Sequence, residues 1–137
     1  MDSDMTTGRT PALGQMITAW RQFGEPPSWN ALSHELGGLA ESVCLIRLSG
    51  GASVIEWAGA QAVLALGTVL AGAPADALTP GRADASREAA KALSAGNPLT
   101  VEDTFHAGAD ERRIARLYLP LSETPPAVAC GVVRIDG

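Results

Sequence analysis

The sequence predicts an α+β fold: a five-stranded antiparallel sheet with a helical crossover on one face and a helical cap at the N-terminus. Three observations predict it. Strand-like runs come first as a pair and later as a set of three; an Ala-rich interval with closely set glycines and prolines separates the two groups; and helix-spaced apolar residues precede both. At 137 residues the chain is long enough for one core and too short for two. A composition that is 46% hydrophobic is too apolar for a disordered chain.

Residues 1–10, rich in Asp, Thr and Ser, read as a disordered tail. From Pro11 the pattern turns helical. Leu13, Met16, Ile17, Trp20 and Phe23 recur at helical spacing, Pro11 suits the first turn, and Gly24 is placed to stop the helix. Glu25-Pro26-Pro27 breaks it, because proline supplies no donor and disfavours helix in the residue before it. A second, weaker helix is predicted over 28–40, with Ser28 or Asn30 as cap and Leu32, Leu36 and Leu39 on one side. Residues 11–42 thus form an N-terminal helical cap. Its apolar face has two places to go: the chain's own core or a second copy. In the second case Leu13, Met16, Ile17, Trp20 and Phe23 are the dimer-interface candidates.

Strands are predicted over 43–48 and 53–58, joined as a hairpin by Ser49-Gly50-Gly51-Ala52. Glycine and proline breaks at Gly67, Gly72, Pro74 and Pro80-Gly81 then divide the middle into short helical pieces, over 60–66 and 74–78, before a longer helix over 82–95 that Gly96-Asn97-Pro98 stops. Three strands follow, over 99–106, 112–122 and 127–136, with Ala107-Gly108-Ala109-Asp110 and Glu123-Thr124-Pro125-Pro126 as turns. In the middle one, Arg113, Ala115, Leu117, Leu119 and Leu121 point one way while Arg112, Ile114, Arg116 and Tyr118 point the other.

Charge and composition exclude several classes of function. The net charge is −5 and the ten basic residues are scattered apart from Arg112-Arg113, so no basic stripe exists to follow a nucleic acid backbone. No run approaches the eighteen or so apolar residues of a membrane span, and Met1-Asp2-Ser3-Asp4 is acidic where a secretory signal would be basic; a cytoplasmic location is expected. Cys44 and Cys130 lie inside apolar runs and read as small buried hydrophobes. The two histidines, His34 and His106, and the two cysteines have no metal-ligand spacing.

A hairpin, a run of short helices and a three-strand meander within 43–137 resemble the PAS domain. A Trp20-Arg21 helix ahead of the domain, a proline-rich break and a late strand reading Arg116-Leu117-Tyr118-Leu119-Pro120-Leu121 are similar to a bacterial branch of PAS-like domains. The resemblance implies a sensory or regulatory module in signal transduction, binding a small ligand or a signalling partner and acting in trans, with homodimerisation through the N-terminal helix or the outer sheet face. A pocket between sheet and crossover would be lined by Trp57, Leu64, Leu93, Phe105, Leu117 and Leu119. As for cofactors, the flavin-adduct form needs a crossover cysteine and haem forms commonly use a crossover histidine. Residues 59–98 hold neither, so no cofactor is expected.

A ligand-free interaction scaffold is the first alternative, since an Ala-rich crossover packs closely. The second is a small α+β enzyme using Glu102, Asp103 or His106. Strand alternation weighs against it, because Glu102, Thr104 and His106 share one face while Leu99, Val101, Asp103 and Phe105 share the other. The chain is therefore expected to bind rather than to catalyse.

Overall fold

The computed structural model describes residues 11–49, 51–68, 70–80, 82–107 and 109–135. The tail expected over 1–10 lies outside the described residues, as does the end of the last strand beyond Ile135. The chain is α+β. Helices α1 (Pro11–Arg21) and α2 (Trp29–Leu36) lead through a 3-10 turn (Gly37–Ser42) into strands β1 (Val43–Ser49) and β2 (Ala52–Ala58). The crossover holds α3 (Ala60–Leu66), a 3-10 turn (Ala75–Leu78) and α4 (Asp84–Ala95). Strands β3 (Leu99–Ala107), β4 (Asp110–Pro120) and β5 (Ala127–Arg134) complete one antiparallel sheet in the order β2-β1-β5-β4-β3.

Local chemistry accounts for the boundaries. Ser28 caps α2, its hydroxyl accepting from the Ala31 N–H at 3.1 Å. The helix predicted over 28–40 stops early because Gly37 takes φ +57°, after which the chain tightens into the 3-10 turn. The first turn of α4 borrows its caps from the preceding 3-10 turn. Ser86 N–H donates to Asp76 Oδ1 at 2.9 Å and Ala85 N–H to Thr79 Oγ1 at 3.3 Å, which satisfies donors that no intrahelical carbonyl reaches.

The sheet carries helices on both faces. Toward the crossover, Cys44, Ile46, Ile55, Ile114, Tyr118, Val128, Cys130 and Val132 pack against Ala62, Ala65 and Leu66 of α3 and Ala85, Ala89 and Ala92 of α4. Away from it, Val43, Leu45, Ala115, Leu117, Leu119, Ala127 and Ala129 pack under α1 and α2. The N-terminal cap therefore buries its apolar face on its own sheet. Leu13, Met16 and Trp20 are buried there, with Ile17 and Phe23 partly buried against the same cluster, and Trp20 Nε1–H donates to Pro120 O at 2.7 Å. Met16 sits so close to the sheet that a Cβ on Gly131 would lie 2.6 Å from its Sδ. Of the five dimer-interface candidates, Leu13, Met16 and Trp20 are thus covered within the single chain, while Ile17 and Phe23 are covered in part.

Gly14 offers a measurable check on α1. It lies inside the helix, exposed, and an added Cβ would meet nothing within 4 Å. Gly14→Ala is expected to raise stability by about 0.5–1 kcal/mol, the usual gain for removing glycine from an exposed helix interior, read from the midpoint of urea unfolding.

Candidate functional site

The feature that stands out from the apolar layer beneath the crossover is Arg116. It occupies the crossover-facing parity of β4 between Ile114 and Tyr118, and its side chain is only 2% exposed. Removing a guanidinium from water is costly, so its partners must be close and well aimed. Nη2–H donates to both oxygens of Glu88 on α4, at 3.0 and 3.2 Å, and Nε–H donates to Tyr118 Oη at 3.1 Å. The Tyr118 hydroxyl in turn donates to Glu88 Oε1 at 2.6 Å. Burial works against the charge on Arg116, but Tyr118 and Glu88 outweigh it and hold its pKa above the ordinary value. Burial, with the neighbouring Cys130, pushes the Tyr118 phenol well up, so it remains a donor. No buried side-chain nitrogen or oxygen among the described residues lacks a hydrogen-bond partner.

The same guanidinium reaches toward β3, where Nη1 lies 3.6 Å from Asp103 Oδ2. Asp103 also accepts from Arg82 Nη1 at 3.1 Å and from the Thr104 N–H at 2.8 Å, and Arg82 Nη2 closes on its second oxygen. Arg82 Nε pairs with Asp84 at the start of α4, at 2.9 Å. One carboxylate thus stands between two guanidiniums, each of which also holds a carboxylate of α4. Beside this chain of charges opens a pocket of about 210 Å³, lined by Leu78, Thr79, Pro80, Arg82, Asp103, Thr104, Phe105, His106 and Arg116.

Phe105 lines that pocket, and Leu93 packs half-buried against the same layer. The other four expected lining residues need correction. Leu117 and Leu119 are fully buried, but on the α1–α2 side of the sheet. Leu64 is 67% exposed on the outer side of α3. Trp57 pairs with Leu45 past a bulge between Leu45 and Ile46; 37% exposed, it packs on Trp29 at a centroid distance of 5.6 Å. The pocket is consequently more polar than the apolar cavity expected from sequence.

Glu102, Asp103 and His106 do not converge. Glu102 pairs with Arg113 at 3.4 Å, Asp103 turns to Arg82, and His106 is exposed with Nε2 3.9 Å from Glu111. Cys44 and Cys130 are paired across β1 and β5, both buried. Burial raises the Cys44 thiol to about 12 and lifts that of Cys130 well above the usual thiol range, so both stay protonated.

A wider, open groove of about 530 Å³ runs between α1 and α2, past Gly14, Gln15, Thr18, Gln22, Glu35 and Leu39, and holds no comparable cluster of charges. Among the described residues, no group of His, Cys, Asp and Glu is arranged to hold a metal ion, and no helix is long and apolar enough to cross a membrane. No family model, no curated protein and no solved structure matches the chain.

Proposed function

We propose that this chain is a PAS-like regulatory module of bacterial cytoplasmic signal transduction that binds a small polar ligand beside β3 and answers by changing its contacts with a partner protein. The observation that carries this reading is the burial of Arg116 next to a pocket. An apolar residue of similar volume would fill the layer at lower cost, and a desolvated charge with specific partners at the edge of a cleft is what binding sites use. The hairpin, the crossover over one sheet face and the three-strand meander are the arrangement that the PAS resemblance implies, and they support it.

The ligand acts by preferring one arrangement of the crossover over another, since equal affinity for both would shift nothing. Catalysis is not part of the proposal, and neither is a homodimer through α1, whose apolar face is already covered. The closely packed alanines of α3 and α4 favour a second reading, a scaffold that binds protein partners without any ligand.

Native mass spectrometry of freshly purified protein separates the two. A retained small-molecule mass is expected. Bare chain alone, together with no amide shift at Thr104 or Phe105 across a screen of polar metabolites, would sink the ligand and leave the scaffold.

A further inference from the structure

We propose that the pocket beside β3 is an anion site, that its ligand is a small carboxylate, and that Asp103 occupies the ligand's place when the site is empty. The proposal rests on the reading of the chain as a ligand-binding module and adds the class of ligand and the way the crossover feels it.

Asp103 carries the argument. Its carboxylate is inserted between Arg82 and Arg116 from a strand position whose parity otherwise points apolar groups, Val101 and Phe105, at the crossover. Two guanidiniums converging on one carboxylate form a fork of donors suited to a planar anion. Thr104 N–H, donating to the same carboxylate, adds a backbone donor. The cavity borders all three of these partners. Its volume of about 210 Å³ exceeds the roughly 30 Å³ share of one water several times over, leaving room for a carboxylate with a short carbon chain. Leu78 and Phe105 supply an apolar wall for that chain.

The tethered carboxylate competes with the free one, so the site is self-occluded. Affinity for an added anion is reduced by the fraction of time Asp103 is out of the way. Removing the Asp103 charge is therefore expected to tighten binding, the reverse of what deletion of a ligand-contacting group does. The site is tied to the crossover because Arg82 also holds Asp84 and Arg116 also holds Glu88, both on α4. An anion that draws the two guanidiniums toward the pocket pulls against both helix carboxylates.

The test uses propionate as probe and propionamide as its neutral counterpart, at constant ionic strength, followed by amide chemical shifts. Propionate is expected to shift Thr104 and Phe105 saturably, with accompanying shifts at Asp84 and Glu88, while propionamide does not. Asp103→Asn, which keeps the shape and loses the charge, is expected to bind propionate about tenfold tighter than the parent chain. Asp103→Ala repeats the measurement with the side chain gone, and Arg82→Gln is expected to weaken binding.

If neither Asp103 variant binds propionate more tightly than the parent, the self-occlusion is overturned. If propionamide binds as well as propionate, the anion class falls while the ligand-binding reading stands. If nothing binds to any variant and native mass spectra show bare chain, both fall together.

Discussion

Arg116→Ala is expected to destabilise the protein by about 3–5 kcal/mol, because it strands the Glu88 carboxylate and leaves the Tyr118 hydroxyl without its guanidinium donor. The loss comes from a partly buried carboxylate left with the Tyr118 hydroxyl in place of the guanidinium, more than from the missing side chain. Removing all three polar groups together is accordingly expected to restore stability. Arg116→Met with Glu88→Leu and Tyr118→Phe replaces a satisfied network by apolar volume, an exchange that is commonly neutral or favourable. Urea unfolding of the single and triple variants measures both effects. A single substitution costing under about 1 kcal/mol would mean that water reaches the pair freely. Arg116→Lys is expected to fall between them, since an ammonium cannot serve Glu88, Tyr118 and Asp103 from one planar fork.

The second large effect belongs to Gly59, at the junction between β2 and α3. A Cβ placed there would lie 2.2 Å from the carbonyl oxygen of Glu41 and 2.6 Å from its Cα. These are backbone atoms of the 3-10 turn before β1, and they cannot rotate away. The same junction carries the Gly59 N–H to Val43 O bond at 2.9 Å and the Ala60 N–H to Glu41 Oε1 bond at 3.1 Å. Gly59→Ala must force the two segments apart and weaken both bonds, so a loss of about 3 kcal/mol or more is expected. In thermal unfolding that corresponds to a fall of roughly 10 °C in Tm. Gly38→Ala in the neighbouring turn, where a Cβ would meet nothing within 4 Å, is the control and is expected to change little.

Much of the fold was legible because its signals are local. Glycine and proline punctuation marked the ends of α3 and α4, Ser28 marked the start of α2, and alternation along β4 separated Ala115, Leu117 and Leu119 from Ile114, Arg116 and Tyr118 as the structure does. Alternation says that two sets of residues face apart, but not which set meets which helices. Leu117 and Leu119, expected on the crossover side, lie under α1 instead. The bulge in the β1–β2 pairing likewise shifts Trp57 in a way that even spacing cannot express.

The charged site was half visible. Asp103 shares its parity with Val101 and Phe105, a charged residue on an otherwise apolar face that signals a buried partner, whereas Arg116 shares its parity with Arg112 as well as Ile114 and Tyr118 and stands out less. The partners themselves could not be read. Glu88 sits on an exposed-looking helix 28 residues before Arg116, and only the packing of α4 across β4 brings them together.

Arg116 and Leu117 are consecutive residues that stand in opposite layers of the molecule, one against α4 and the other beneath α1. The peptide unit joining them is a rigid lever through a sheet one residue thick. A displacement of the β4 backbone at this point would therefore be felt in both layers at once, against α4 and beneath α1.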